Sequence, residues 1–245
     1  MWLRNKATSL KVDKKNHWIH VYSAGDITLR LLHQNRGKGA VEEFGIIPVV
    51  YGGVIVHDCW ASYLSYEHLK HGLCGSHLLR ELQFTIDANG YQWAKNMKRL
   101  LRMACKMVSN AESKCLSLAL NAKLERLYKN IMLAGSNELP PIPKKSNGKR
   151  GKVAKSDAHN LWERLDKHRD AVLLFASNPD VAFTNNRAER DLRMTKVKQK
   201  ISGCFRTEKY ARAYCRISSY LQTMNNKGVN PLVAVSWALS GKFDV

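Results

Sequence analysis

Acidic side chains are scarce in this 245-residue sequence: 20 Asp and Glu face 40 Lys and Arg, a formal charge of +20. A chain so charged repels itself unless an anionic partner is present, and the commonest such partner is nucleic acid, whose phosphates release counterions on binding. Long hydrophobic runs are lacking too. No apolar stretch reaches membrane-spanning length, and residues 1–10 carry two basic residues and no sustained apolar core, which excludes a signal-peptide pattern. A membrane partner is therefore not expected, and the expected location is cytoplasmic. The six cysteines, Cys59, Cys74, Cys105, Cys115, Cys204 and Cys215, are scattered. That spacing argues against a disulfide framework and for reduced, mostly buried thiols. No internal repeat is present.

What is there reads as strands first and helices after. Residues 17–23 (HWIHVYS) alternate apolar and polar positions and predict a strand, with a second over 27–33 (ITLRLLH) after the turn at Ala24-Gly25-Asp26. The polar cluster at 12–16 suits a hairpin turn that would pair residues 5–12 with the 17–23 strand. A short helix is expected over 38–45, ended by Gly45 and Pro48. Val54, Ile55 and Val56 form a compact apolar run that predicts a buried strand ending at the carboxylate of Asp58. A helix is expected over 60–69, a short strand at 71–75 and a helix from His77. Helical patterning covers 91–133, with Trp93, Met97, Leu100, Leu101 and Ala104 on one face. The prolines and the basic run within 136–156 predict an exposed loop. Helices follow at 158–176, broken by Asn178-Pro179, and from Asn186, interrupted near Ser202-Gly203 and resumed over 208–223. Hairpin strands followed by a parallel crossover indicate a mixed α/β sheet.

Few residues could carry chemistry. Asp58, at the carboxyl end of a buried strand, sits where α/β sheets place ligands and could hold Mg²⁺ through oxygen; it could equally cap the next helix. Glu189 lies in FTNNRAERDLR (183–193). Asn186 with Glu189 three places on fits a capping box, and Glu189 could pair with Arg193; a carboxylate beside Arg187, Arg190 and Arg193 would also suit a phosphodiester site. Cys74 and His77 form C-x-x-H, with His57 and Cys59 flanking Asp58. These are zinc-type ligands, but no second paired unit accompanies them, and a buried thiol with a histidine at a helix start reads as well. The segment 196–211 mixes Lys, Arg and aromatics around a glycine turn. It reads either as a solvated basic face or as a DNA-backbone track using Lys196, Lys198, Lys200 and Arg206.

Two segments together resemble one family. GVIVHDCWASY with LCGSHLLREL, and TNNRAERDLRMTKVKQKISGCFRT, are similar to the middle and the C-terminal catalytic segment of transposases of the insertion sequence 66 family, and NHWIHV (16–21) matches a strand of that family. The similarity runs from about residue 8 to residue 240. It implies a ribonuclease H-like core over 1–85 and 184–228, a largely helical insertion over 86–183 and a C-terminal helix over 229–245. It implies a DDE active site in which Asp58 is the second carboxylate and Glu189 the third, separated by 130 residues. Two Mg²⁺ (or Mn²⁺) ions held there would drive DNA strand cleavage and transfer. The partners implied are transposon ends and target DNA, with a homo-oligomer or a full-length transposase, and the location nucleoid-associated.

The chain departs from that pattern at its first carboxylate. The family's Asp-Glu-Thr element aligns with Lys6-Ala7-Thr8, so lysine stands where the first Asp belongs. Asp13 and Asp26 lie in hairpin turns, at the wrong ends of their strands. His77 is a weaker, site-adjacent candidate. The expectation is an N-terminally truncated transposase core with impaired chemistry. The alternative is a non-catalytic, basic DNA-binding remnant that interferes with full-length transposase.

Overall fold

The computed structural model describes residues 2–47, 53–142 and 153–242, and the chain divides into two compact units, 1–71 with 185–245 and 72–184. In the first unit, β1 (Trp2–Val12), β2 (Lys15–Ala24) and β3 (Ile27–His33) form an antiparallel meander. Helix α1 (Lys38–Glu43) follows, then β4 (Val54–His57), α2 (Ala61–Leu64) and β5 (Lys70–Leu73). The sheet order is β3-β2-β1-β4-β5, with β4 parallel to β1. Asp13 and Lys14 take positive φ, 46° and 60°, which closes the two-residue β1–β2 turn with the twist that a hairpin needs. Pro48, expected to end the first helix, lies outside the described residues; the helix is already over at Glu43, and Gly45 turns left-handed after it.

Period-two alternation sends the two faces of the sheet to different cores. On one face Leu3, Tyr22 and Ile55 pack with Val41, Ile47, Tyr63, Tyr66 and Leu69. On the other, Leu10, Val12, Ile19, Val21 and Leu32 pack with Leu192, Ala211 and Cys215 from two late helices, α8 (Asn186–Ser202) and α9 (Glu208–Asn226). The buried carboxylate of Asp191 locks α8 to the sheet, accepting from Ser23 Oγ at 2.9 Å and Thr28 Oγ1 at 3.0 Å. Beside it the Arg30 guanidinium donates to the Asp191 and Ser218 carbonyls, and the Arg30 amide to Ser219 Oγ at 2.8 Å. These contacts satisfy polar groups whose burial would otherwise cost about 1–3 kcal/mol each. A last helix, α10 (Pro231–Leu239), packs on α9.

The second unit is helical: α3 (Gly75–Asn89), α4 (Gln92–Asn110), α5 (Leu118–Glu138), α6 (Asp157–Lys167) and α7 (Arg169–Ser177). Trp93, Ala94, Met97, Leu100, Leu101 and Ala104 of α4 are buried. The Glu138 carboxylate caps that helix, accepting from the Gln92 and Trp93 amides at 2.6 and 2.8 Å. Gly135 is required by close packing, since a Cβ there would stand 2.9 Å from the Trp162 ring.

Several expected boundaries differ. The 60–69 helix is one turn only, because α2 ends at Leu64 and Ser65 to Leu69 close turns on Tyr63 and Tyr66. The 91–133 stretch is two helices separated at 111–117, where Lys114 has a positive φ. The 158–176 stretch breaks at His168. Of the 136–156 loop, residues up to Glu138 are helical and 143–152 lie outside the described residues.

His20, fully buried in β2, makes a pH prediction. Burial is the main cause that lowers its pKa from 6.5 to about 4. As pH falls below 6.5 the unfolded chain takes the proton first, so stability present above that value is lost progressively toward pH 4, by up to about 3 kcal/mol. Urea unfolding across this range should show the loss, and His20→Gln should flatten it; an equally steep profile in the variant would contradict the assignment.

Candidate functional site

β1 and β4 run parallel in a register that pairs Trp2 with Val54, Leu3 with Ile55 and Arg4 with Val56. Continuing that register sets Lys6 level with Asp58. Even-numbered residues of β1 face α8, as do Val54, Val56 and Asp58 by the same alternation. Lys6 and the strand-end carboxylate therefore meet side by side. Lys6 Nζ donates to Asp58 Oδ2 at 3.0 Å and stands 3.7 Å from Glu189 Oε1. Since both oxygens surround one nitrogen at those distances, they lie within 6.7 Å of each other. Asp58 and Glu189 thus converge from opposite ends of the sequence, and Lys6 sits between them.

The elements that aim these side chains are specific. Cys59 follows Asp58 with φ 65°, a left-handed conformation that costs a non-glycine residue about 1 kcal/mol or more and turns the chain sharply out of β4. Its amide donates to His57 Nδ1 at 3.1 Å, which places the His57 proton on Nε2. His57 Nε2 then meets His71 Nδ1 at 3.1 Å, and His71 Nε2 donates to the Tyr66 carbonyl at 3.1 Å. Burial lowers the His71 pKa, in keeping with a neutral, singly protonated relay that pins the end of β4. Both His57 nitrogens are thereby engaged within the fold, which removes it from the zinc-type ligands. Glu189 stands in the first turn of α8, where the helix dipole favours negative charge. That helix is docked by Asn185, whose Nδ2 donates to the Asn5 carbonyl of β1 at 2.7 Å.

The capping alternatives do not describe these carboxylates. The N-cap of α2 is Trp60, without a side-chain cap hydrogen bond, so Asp58 is not its cap. The N-cap of α8 is Asn185, also without one, so the helix opens one residue before the Asn186 at which the capping box was expected. Arg36 completes the cluster and was not singled out by the sequence. Its Nη2 is 3.9 Å from Asp58 Oδ2, and its guanidinium lies over the Trp18 and Trp60 rings at 5.2 and 4.3 Å from their centroids. An arginine between two indoles is a stiff, weakly hydrated cation suited to a phosphate oxygen.

The basic candidates separate into two kinds. Arg190, Arg193, Lys198, Lys200 and Arg206 are exposed. Lys198 lies 5.9 Å from the Phe205 ring centroid. Lys196 is instead turned inward, donating to the Ser9 carbonyl at 2.7 Å, and burial lowers its pKa. Arg187 is half-buried and donates to the Gly25 carbonyl. These two tie α8 to the sheet. Asp13 and Asp26 remain in their hairpin turns, and Asp13 donates its amide to the Phe205 carbonyl at 2.8 Å. His77 and Cys74 belong to the second unit, where Cys74 is buried with Sγ 3.0 Å from Ser76 Oγ.

The cluster does not fit a two-metal centre. Its four charged groups, Asp58 and Glu189 against Lys6 and Arg36, cancel. A divalent ion about 4 Å from the ammonium would meet roughly 8 kcal/mol of repulsion at an effective dielectric near 20. The Lys6 ammonium already occupies the place between the carboxylates that a cation would take. In thermal unfolding with millimolar Mn²⁺, the unaltered chain should hold its midpoint, whereas Lys6→Asp should gain about 5 °C. An equal gain in both would contradict the misfit.

Comparisons with curated proteins and with solved structures gave no match. A family model described as "Transposase IS66 family" matches residues 5–213, which span Lys6, Asp58 and Glu189 together. With most of its length under that model, the chain belongs to the IS66 family of transposases.

Proposed function

We propose that this chain is a DDE-type transposase core that engages DNA but is impaired in Mg²⁺-dependent strand cleavage and transfer. The observation that carries this reading is Lys6 Nζ, 3.0 Å from Asp58 and 3.7 Å from Glu189, in the position where the family's pattern has its first aspartate. A ribonuclease H-like assignment of the first unit is supported by the strand order β3-β2-β1-β4-β5, with an antiparallel meander and a fourth strand parallel to the first. The second unit, 72–184, is then the helical insertion between the second and third acidic positions.

DNA is the partner that the charge balance favours. Exposed Arg190, Arg193, Lys198, Lys200 and Arg206 share α8 and the turn after it, near Glu189 in sequence and on the same unit. Such a surface holds a phosphate backbone with or without chemistry at the carboxylates. Lys6 and Arg36 in turn place positive charge at Asp58. A scissile phosphate could be gripped there while nothing deprotonates or activates its attacker. Binding without cutting favours a second role, in which the chain occupies transposon ends and competes with an intact transposase. Among the described residues no helix is long and apolar enough to cross a membrane.

The test combines binding and cleavage on the element's terminal duplex. The unaltered chain should bind with strong salt dependence and leave the duplex unnicked in Mg²⁺. Lys6→Asp with Ala7→Glu should restore nicking by at least about 100-fold, the scale on which a missing active-site group is felt. Efficient Mg²⁺-dependent nicking by the unaltered chain, with nothing added by the double change, would overturn the proposal.

A further inference from the structure

Helix α4 of the second unit holds five basic residues, Lys95, Lys98, Arg99, Arg102 and Lys106, and no Asp or Glu in its 19 residues. Four of them, Lys95, Arg99, Arg102 and Lys106, are exposed. Their spacing of four, three and four residues draws one stripe along the helix. The buried Trp93, Met97, Leu100 and Ala104 repeat that spacing two residues earlier, so the stripe lies on the face opposite the core. Among the described residues, none of the four has an acidic group within ion-pair distance. Lys98 flanks the stripe and donates to Gln83 of α3, beside an open groove of about 730 Å³ between the two helices.

An ordinary solvated helix face mixes the two signs, because like charges three or four residues apart destabilise a helix and opposite charges support it. Here every such neighbour within α4 is of like charge: 95 with 98 and 99, 98 with 102, 99 with 102, and 102 with 106. The arrangement works against the free helix by a few tenths of a kcal/mol per pair, a repulsion that an anion covering the stripe relieves. The four exposed residues span 11 helical steps, roughly 16 Å. That is the axial run of about five phosphates on one strand of duplex DNA. A lipid surface fits less well. A helix lying in a bilayer interface needs its apolar face outward, and the apolar face of α4 is the core of its unit.

We propose that the Lys95–Arg99–Arg102–Lys106 stripe of α4 is a second DNA-binding surface, one that tracks a single phosphate backbone without reading sequence. It rests on DNA being the chain's partner, and goes beyond it by assigning a contact to the helical unit. Base edges are not involved, so the effect is the same on any duplex.

The experiment is fluorescence anisotropy of the full chain on a random-sequence duplex, repeated across a series of KCl concentrations. One variant carries Lys95, Arg99, Arg102 and Lys106 changed to Gln. A control carries Lys114, Lys123, Lys129 and Lys167 changed to Gln, which removes equal charge from exposed positions elsewhere on the same unit. Thermal unfolding verifies that both fold. The stripe variant should flatten the slope of log K against log [salt] by about 3 to 4, close to 0.9 per lost phosphate contact. The control should change it by less than about 1. Unchanged slopes or equal flattening in both variants would overturn this surface while leaving DNA binding intact. An unaltered chain without salt-dependent duplex binding would sink the surface and the broader DNA reading together.

Discussion

Lys6 holds Asp58 and Glu189 together against their own repulsion, and the arrangement of this centre follows from that contact. Two carboxylates aimed at one point from β4 and α8 need a cation between them. In a metal-dependent site the ion is borrowed from solution and can leave. Here it is a side chain of β1, tethered in register beside Asp58, and its cost is the rotamer freedom of one lysine rather than the capture of an ion from solution. The ammonium satisfies the charge and simultaneously removes the vacancy in which a divalent ion would sit. Arg36, held between Trp18 and Trp60, reinforces the effect from the Asp58 side.

The rest of the first unit serves that convergence. Parallel pairing of β1 with β4 sets the two positions level, and the left-handed Cys59 ends the strand abruptly after Asp58. The His57–His71 pair ties the strand end to its neighbour. Asn185 and Asp191 dock the start of α8, so that Glu189 arrives with its helix rather than by side-chain flexibility. Such a frame is built for a fixed constellation of charges. Exchange of one member, acid for base, alters the chemistry of the centre while leaving the frame in place, because lysine supplies the countercharge that the carboxylates require.

Much of this frame was legible in the sequence, for physical reasons. β3 shows because one face is buried and the other less so, which writes alternation into ITLRLLH, while β2 shows because its two covered faces differ in chemistry, Ile19 and Val21 on one and His20 and Tyr22 on the other. β4 shows because both its faces are covered, leaving an unbroken apolar run. Breaks inside helical stretches did not show: the split at His168 and the seven residues between α4 and α5 carry no proline and little change in polarity. Of the site, Asp58, Glu189 and the anomalous Lys6 stood out by position in a family pattern. Arg36 did not, since its importance comes from two tryptophans 18 residues before it and 24 after it, which meet only in the folded chain. Lys196 looked like a phosphate contact because composition alone cannot tell a lysine that points to solvent from one bonded to the Ser9 carbonyl.

The central claim, that an internal ammonium stands where a metal would, is tested most directly by diffraction. Crystals grown in millimolar Mn²⁺ and measured at the manganese absorption edge should show no anomalous peak between Asp58 and Glu189, with Lys6 Nζ in hydrogen-bond contact with Asp58. A strong manganese peak coordinated by both carboxylates, with Lys6 swung away, would contradict the account.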